Sequence, residues 1–257
     1  MKFALYSDLH LGLGLWGPPA LDVDVVILAG DIASHTHGLA WAAGAFHQET
    51  ASPAVFYVAG NHEYYDAHLG LLDQLRQPKW EQSGVQFMEK RVIETGGVRF
   101  LGCTLWSAFD LYGADKVEAY MAIAKRNIND YWMIQAHGAV RLEPRDTLAL
   151  HRKAVHWLDT ELAKPFDGKT VVITHFAPHR GCVEPKFEGS DFSPYFVTDL
   201  SWLMAKYRIA AWCYGHTHGN TDFEAENGCR VISNQLGYPS ERVRADNGFR
   251  PDLVIEL

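Results

Sequence analysis

Five short apolar stretches of this chain each end at polar residues. They are "KFALYS" before Asp8, "VDVVILAG" before Asp31, "AVFYVAG" before Asn61, "TVVITH" ending at His175, and "AAWCY" before "GHTH" at residues 215–218. Continuous apolar runs of this length are typical of strands buried on both faces. Because open α/β sheets bind ligands at the carboxyl ends of their strands, we expect these polar residues to converge on one site.

The segments between these stretches predict a layered α/β protein. Helical periodicity predicts helices over residues 38–48, 65–77, about 144–162 and near 196–206. Residues 84–105 alternate in the manner of β-strands, with "TGG" as a hairpin turn. Strands and helices alternate on both sides of this β-rich middle, which is the signature of a layered α/β arrangement.

The chain shows no internal repeat, low-complexity tract or linker. We therefore predict a single domain over residues 1–257, with excursions from its core at about 106–144 and 178–195. Such excursions often carry the specificity of a binding site.

The charge balance excludes some classes of partner. The chain carries 31 acidic and 23 basic residues, a formal net charge of −8, and no cluster of four or five lysines or arginines. A diffuse basic face for duplex nucleic acid or anionic lipid is therefore not expected. Recognition of a phosphate must come from a local binding site, such as one that holds cations.

The N-terminus holds too few apolar residues for a signal peptide, and no stretch approaches the roughly 18 apolar residues of a membrane span. We predict a cytoplasmic protein with no membrane partner, and the oligomeric state stays open. The four cysteines make no C-x-x-C pair, so we expect them to act as buried small apolar residues.

Each polar motif has an ordinary interpretation when it is taken alone. A D-x-H or G-D sequence often forms a turn, Asn61 could cap a helix, and His175 could be a hydrogen-bonded core histidine. "GHTH" could be a polar turn, although Gly215 is expected to let the backbone bend sharply and aim both histidines at one point. The five strand ends together are better explained by one metal site.

The donor types also fit a metal. Carboxylates, imidazoles and an amide in one set suit Mn²⁺, Fe or Zn²⁺ better than Ca²⁺ or a thiolate site.

The polar motifs resemble those of the calcineurin-like metallophosphoesterases. In order along the chain they are "DLH", "GD", "GNHE", His175 and "GHTH". The motifs are complete and span residues 8–218, and "THFAPHRG" and "GYPSE…FRPDLVIEL" are similar to a small bacterial single-domain branch. The resemblance implies a four-layer α/β/β/α sandwich with two mixed β-sheets. It also implies a metal-dependent phosphoric ester hydrolase.

The resemblance further implies two divalent ions, Mn, Fe or Zn, and a role for each motif residue. One ion would be held by Asp8, His10, Asp31 and His218, and the other by Asp31, Asn61, His175 and His216. Asp31 would bridge two ions about 3.5–4 Å apart, which can share a water and lower its pKa.

His62 is implied to be no ligand. It would protonate the leaving oxygen or stabilise its charge, which makes His62, Asp31 and Asn61 the catalytic residues. Glu63 would either support the ligands from behind or be a helix-surface carboxylate.

The resemblance leaves the substrate open. "GDIASHT" replaces the G-D-x-x-D-R-G of the related protein phosphatases, which disfavours a phosphoprotein substrate. We expect a phosphodiester or a small phosphomonoester, attacked by a metal-bridging hydroxide. A class III-like cyclic nucleotide phosphodiesterase is one alternative. A non-catalytic metal-binding interaction scaffold is another, and the intact ligand set and His62 disfavour it.

The walls of the site are predicted from sequence neighbours of the motifs. His179, Arg180 and Asn234 are candidate substrate-binding residues, with Lys186 and Gln235 as further candidates. The aromatic residues of the central excursion would either stack on a substrate base or pack as satellite core; they are Trp106, Tyr112, Tyr131 and Trp132. His35 and His37 are expected to be bystanders.

Overall fold

Two mixed β-sheets form the centre of the structure, which is a computed structural model that describes residues 1–47, 52–242 and 247–257. The first sheet contains β1 (Lys2–Tyr6), β2 (Val25–Ala29), β3 (Ala54–Val58), β4 (Val85–Phe87) and β13 (Val254–Glu256). The second contains β5 (Arg91–Thr95), β6 (Val98–Cys103), β9 (Lys169–Thr174), β10 (Ala211–Tyr214), β11 (Asp222–Glu224) and β12 (Arg230–Ser233). A small separate hairpin is formed by β7 (Gln135–His137) and β8 (Val140–Arg141).

The order of the strands makes both sheets parallel at their centres. The first sheet runs β13-β1-β2-β3-β4, and only β13 is antiparallel to its neighbour. The second runs β11-β12-β10-β9-β6-β5, with β11 and β5 antiparallel at the two edges. The carboxyl ends of the central strands in each sheet therefore lie at one edge.

Alternate residues of the strands pack the two sheets against each other. Phe3, Ile27, Phe56, Phe100 and Val171 belong to one fully buried cluster that draws on both sheets. The rings of Phe56 and Phe100 meet edge to face, with centroids 4.9 Å apart. This apolar layer is the inner core of the sandwich, and its burial is the main driving force for joining the sheets.

Helices cover the outer faces of the sheets. They are α1 (His37–Ala45), α2 (Leu72–Leu75), α3 (Pro78–Gln82), α4 (Val117–Asn127), α5 (Asp130–Met133), α6 (Pro144–Leu162), α7 (Ser193–Phe196), α8 (Ser201–Lys206) and α9 (Pro239–Arg242). Helices α1 and α3 contact β4 of the first sheet, and α6 contacts β6 of the second. The predicted four-layer α/β/β/α arrangement is confirmed.

Helix α6 has the predicted bounds because its local signals agree. Pro144 occupies the first turn, and the Glu143 amide donates to Asp146 in a capping box. Buried residues then recur every three or four positions, including His151, Ala154 and Leu158. The hairpin predicted at "TGG" is also present, with Gly96 and Gly97 at positive φ.

Two other helix predictions are wrong in extent. Residues 65–77 hold a 3₁₀ turn at Leu69–Leu71 and the short α2, because the His68 ring accepts the amide of Gly70 and caps the chain there. The helix predicted near 196–206 begins at Ser201, since Val197 still pairs with Ala177. Helix α1 ends at Ala45, and residue 48, the end of its predicted range, lies outside the described residues.

The two excursions add elements outside the sheets. Residues 106–144 contain α4, α5 and the β7-β8 hairpin, and residues 178–195 contain short turns and the start of α7. The four cysteines are free and buried, as expected. Among the helices of the described residues, none is long and apolar enough to cross a membrane.

Gly102 marks a point where the two sheets approach closely. A Cβ at this position would overlap the Cβ of Met88 and lie 3.2 Å from Cγ2 of Val58. We expect Gly102→Ala to lower the free energy of unfolding by about 1–3 kcal/mol, as overpacking of a core does. Denaturant titration followed by fluorescence measures the change.

The matched control is Gly44→Ala, because Gly44 lies in α1 with open space at its Cβ position. That change should stabilise the protein by roughly 0.5–1 kcal/mol through helix propensity. Equal effects of the two substitutions would contradict the close packing of the sheets at Gly102.

Candidate metal centre

The five polar strand ends meet at one place. Asp8 and His10 follow β1, Asp31 follows β2, Asn61 and His62 follow β3, His175 follows β9, and His216 and His218 follow β10. Most of these side chains are buried, and His62 and His218 are partly exposed. The centre therefore draws on both sheets, with three strands from the first and two from the second.

Glycines allow this convergence by leaving space. Gly30 has φ of 90°, and a Cβ there would overlap the His175 ring. A Cβ on Gly215 would lie 2.6 Å from Oδ2 of Asp8. Gly215 itself is outside the left-handed region, so the sharp bend expected of it is instead carried by His216 (φ 76°) and His218 (φ 57°).

Left-handed backbone is a general feature of the centre. Five of the predicted ligands have positive φ: Asp8, His10, Asp31, His216 and His218. Such a conformation costs roughly 1–3 kcal/mol in a residue other than glycine and persists only where the surroundings impose it. The packed sandwich holds these five side chains in strained positions that point them at each other.

The first group of donors contains Asp8, His10 and His218. Nε2 of His10 lies 3.1 Å from Nε2 of His218, which in turn lies 3.4 Å from Oδ1 of Asp8. Oδ2 of Asp31 is 4.0 Å from Nε2 of His10. One atom from each of the three grouped residues can face a single ion.

The second group contains Asp31, His175 and His216, with Asn61 beside them. Nε2 of His175 lies 3.1 Å from Oδ1 of Asn61 and 3.5 Å from Oδ1 of Asp31. Nε2 of His216 is buried and has no hydrogen-bond partner in the described part of the chain. The two oxygens of Asp31 thus face different groups.

The donors fit divalent metal ions. The unpartnered Nε2 of His216 is an open coordination position, because buried polar atoms are otherwise almost always satisfied. Nδ1 of His175 donates to the carbonyl of Ala29 (2.8 Å), and Nδ1 of His218 donates to Glu241 (2.6 Å). These outer hydrogen bonds leave each Nε2 facing the centre, as in protein metal sites.

The charges of the centre also favour cations. Burial opposes protonation of His175, but the charge and hydrogen bond of Asp31 raise its pKa to about 9. At His218, Asp8 and Glu241 outweigh burial and raise the pKa to about 10. A metal ion at these nitrogens would take the place of the protons.

Glu63 is fully buried behind the ligands. Its carboxylate accepts hydrogen bonds from the amides of Asp31 (3.0 Å), Ile32 (2.9 Å) and Gly60 (2.6 Å), and from the hydroxyl of Tyr57 (2.7 Å). Burial and the charge of Asp31 raise the pKa of Glu63 to about 7. The helix-surface interpretation of Glu63 is therefore wrong: it ties the loop after β2 to the loop after β3.

Asp130 supports Asn61 and was not predicted from the sequence. This buried carboxylate accepts from Nδ2 of Asn61 (2.8 Å) and from the hydroxyl groups of Tyr65 (3.0 Å) and Tyr195. Because Nδ2 is held in this way, Oδ1 of Asn61 faces His175 and the second group. Asp130 lies at the start of α5, so the central excursion contributes to the centre.

His62 lies at the solvent side of the donors. Its amide donates to Oδ1 of Asp31 (2.8 Å), and its Nε2 lies 3.7 Å from Oδ2 of the same residue. The ring stacks on Tyr65 with centroids 4.0 Å apart, and Nε2 is 3.0 Å from the hydroxyl of Tyr238. His62 could join His10 and Asp31 around an ion, but it is also placed to face a substrate above them.

Tyr238 is a second residue that sequence reasoning missed. Its ring packs on His10 and His218, with centroid distances of 4.4 and 4.5 Å. Its amide donates to Glu241, the carboxylate that holds His218. The segment "GYPSE" contributes to the family resemblance, but no local signal in it indicates a contact with the centre.

A cavity of about 830 Å³ opens above the centre. Its floor includes Asp31, Asn61, His62, His216 and His218. Its walls come from both excursions, around Asn127–Asp130 and Cys182–Val197, and from the segment Tyr238–Arg242 with Asn247. The excursions thus line the space in which a substrate would lie.

The structure does not place the predicted substrate-binding residues in this cavity. His179 accepts from the amide of Gly181 and pairs with Glu226, and Arg180 donates to the carbonyl of Leu111. Asn234 is buried and bonds the backbone of Leu5 and Arg250. In the structure each of these three side chains is committed to contacts outside the cavity.

The other candidate wall residues differ in whether they reach the cavity. Trp106 and Tyr131 are buried in the core, and Gln235 holds the "GHTH" turn through the amide of His218. Of the further candidates only Lys186 lines the cavity, where it pairs with Glu184.

Comparisons with known proteins identify the family of the chain. The family model for calcineurin-like phosphoesterases matches residues 1–220. The uncharacterized protein L509 of Acanthamoeba polyphaga mimivirus is 27% identical over 219 residues, which are 79% of this chain and 73% of the viral protein.

Two solved structures share the fold. The phosphopantetheinyl hydrolase of Mycobacterium tuberculosis superposes with a TM-score of 0.72 at 23% identity, covering 95% of this chain and 92% of that one. A dimetal phosphatase from Danio rerio gives 0.54 at 15% identity, covering 90% and 86%.

Because the two oxygens of Asp31 face different donor groups, its removal should affect both metal positions. We expect the purified protein to bind close to two Mn²⁺ or Zn²⁺ ions per chain, and Asp31→Asn to lower the affinity for both. His10→Ala should weaken mainly one. Isothermal titration of metal-free protein, with elemental analysis, measures the stoichiometry.

The control is Asp22→Asn, an exposed acidic residue distant in sequence from every motif. Saturation at one ion per chain in the unaltered protein would contradict a shared Asp31.

Proposed function

This chain belongs to the calcineurin-like phosphoesterase family and is a metal-dependent phosphoric ester hydrolase; on that premise we propose that it cleaves phosphodiesters at a dinuclear centre bridged by Asp31. The observation that carries the proposal is the division of the Asp31 carboxylate. Oδ2 lies toward His10, and Oδ1 lies toward His175. Each oxygen thereby belongs to a separate set of donors.

The proposed ligands follow from those sets. Asp8, His10, Asp31 and His218 would hold one ion, and Asp31, Asn61, His175 and His216 would hold the other. Bound ions of this kind activate water as a nucleophile and neutralise the charge of a phosphate ester. Mn, Fe and Zn all suit the donor types.

The protein supplies positioning and a proton. Asp130 fixes the amide of Asn61, and Glu63 fixes the backbone that carries Asp31. His62, partly exposed above Asp31, is placed to donate a proton to the leaving oxygen or to stabilise its charge. We assign catalysis to His62, Asp31 and Asn61.

The size and lining of the cavity favour a diester over a small monoester. Ile128, Phe187, Phe192 and Phe196 give its walls apolar surface beyond the metal donors. Phe187 and Phe192 are also unusually exposed for large apolar residues. A small monoester would leave this apolar surface exposed to solvent, whereas a diester with an organic substituent on each side of the phosphorus would cover part of it.

A cyclic nucleotide is a less favoured substrate. From the sequence, four aromatic residues of the central excursion are candidates to stack on a base. Trp106 and Tyr131 are buried in the core, and Tyr112 and Trp132 are not among the residues that line the cavity. A purely non-catalytic scaffold is also less favoured, because such a protein has no need of strained donors or of His62.

A substrate panel tests the proposal. It contains nitrophenyl phosphodiesters, nitrophenyl phosphate, cyclic nucleotides, phosphopeptides and, since one solved structure is named a phosphopantetheinyl hydrolase, a phosphopantetheinyl ester. With Mn²⁺ added, we expect diesters to have the highest kcat/KM and chelation to abolish turnover. Much faster turnover of phosphopeptides under the same conditions would contradict the proposal.

His62 should separate chemistry from metal binding. We expect His62→Ala to leave the metal content nearly unchanged and to lower kcat by about 10²–10⁴-fold for an alkyl ester. The loss should be smaller for a nitrophenyl ester, because its leaving oxygen hardly needs a proton. Steady-state kinetics on both esters and elemental analysis measure these effects.

His137→Ala, an exposed histidine of the β7-β8 hairpin, is the control for loss of an imidazole. Equal losses on both esters would show that His62 stabilises phosphate charge instead of protonating the leaving group. Loss of a metal ion would show that it is a ligand.

A further inference from the structure

The guanidinium group of Arg242 is buried in part and unpaired. Its Nε and Nη2 atoms are inaccessible to water, and neither has a hydrogen-bond partner among the residues that the structure describes. A buried guanidinium N–H without an acceptor is costly, and native proteins satisfy nearly all such groups. The unpaired atoms therefore indicate an acceptor that is not part of the described chain.

Unpaired buried atoms of this kind are rare in the part of the chain that the structure describes. In the described residues, four buried side-chain atoms lack a partner: Oγ1 of Thr198, Nε2 of His216, and Nε and Nη2 of Arg242. His216 and Arg242 both line the cavity above the centre. Nε2 of His216 belongs to a donor group for a cation, whereas Arg242, itself a cation, requires an anion.

Arg242 lies next in sequence to a residue that contacts one of the metal donors. It is the last residue of α9, directly after Glu241, whose carboxylate contacts Nδ1 of His218. That nitrogen is on the opposite side of the ring from Nε2, which lies near Asp8 and His10. Helix α9 therefore approaches the donors from the Nδ1 side of His218, and Arg242, the next residue after Glu241, lines the same cavity.

The other charged groups of the cavity wall already have partners. Lys186 pairs with Glu184 (2.9 Å), and Glu241 pairs with His218. Asp130 accepts three hydrogen bonds. Arg242 is the cation of the described wall that remains for a ligand.

We propose that Arg242 binds a second anionic group of the substrate, a phosphate or a carboxylate, carried on the substituent that extends from the scissile ester. The proposal rests on the function proposed above and refines its substrate class. A planar guanidinium is suited to two parallel hydrogen bonds with either anion. The substrate would thus be held at two charged points, the metal centre and Arg242, with apolar wall between them.

Equilibrium binding to the Mn²⁺-loaded protein tests the proposal without turnover. The probes are alkyl chains of about two to eight carbons with a phosphate ester at one end. The far end of each chain carries a hydroxyl, a carboxylate or a second phosphate. We expect at least one chain length at which the probe with an anionic far end binds about tenfold or more tightly than the probe with a hydroxyl. For the probe with two phosphates, this factor is counted beyond the statistical advantage of having two equal ends. Calorimetry gives the ratio of the dissociation constants.

Substitutions test whether Arg242 causes the preference for an anionic end. Arg242→Gln should reduce it to the statistical value, and Arg242→Lys should retain part of it. Arg152→Gln, the same change at an exposed arginine of α6 outside the cavity, should leave the ratio at the wild-type value. A preference for the phosphate end or for the carboxylate end identifies the anion.

Two results would overturn the inference: no preference for an anionic end at any length, or an Arg242→Gln effect that is equal for all three kinds of end. The second would mean that Arg242 contacts the phosphate at the metal centre or only supports the fold. If no ester in the substrate panel is hydrolysed but the ratio of dissociation constants is as expected, the proposed reaction is contradicted and Arg242 remains an anion site.

Discussion

The carboxylate of Asp31 lies between the two groups of donors. It is buried, and it contacts His62, His175 and His10 from three different strand ends. Burial alone would favour the neutral acid, but the surrounding histidines hold the pKa of Asp31 well below its usual range. Metal ions on both sides of the carboxylate would favour its charged form in the same way.

The sandwich makes that position possible. Asp31 follows β2 of the first sheet and His175 follows β9 of the second, so the two meet only because the inner faces of the sheets pack together. The packed core imposes left-handed backbone on five of the donors, and Nε2 of His216 has no partner among the residues that the structure describes. The free energy stored in this way makes the centre ready for ions, which relieve the unsatisfied charges and donors on binding.

The sequence alone predicts the parts of the centre that depend on strand ends. Polar residues directly after buried parallel strands must emerge at one edge of a sheet, and this rule is enough to place Asp8 and Asp31 together. His175 follows a strand of the other sheet, so its approach to them depends on how the two sheets pack. Glu63, Asp130 and Tyr238 could not be assigned to the centre in this way, since their roles depend on which loops fold over it. His179 and Asn234 illustrate the converse. His179 lies close to His175 in sequence and Asn234 follows a buried strand, yet their side chains bond backbone groups elsewhere.

The most direct test of a centre shared through Asp31 is anomalous diffraction at the manganese edge from crystals grown with Mn²⁺. The account predicts two peaks about 3.5–4 Å apart at the donor groups, with one oxygen of Asp31 next to each or one oxygen between them. It also predicts Nε2 of His216 at ligand distance from one peak. A single peak, or two peaks of which only one contacts Asp31, would contradict the account.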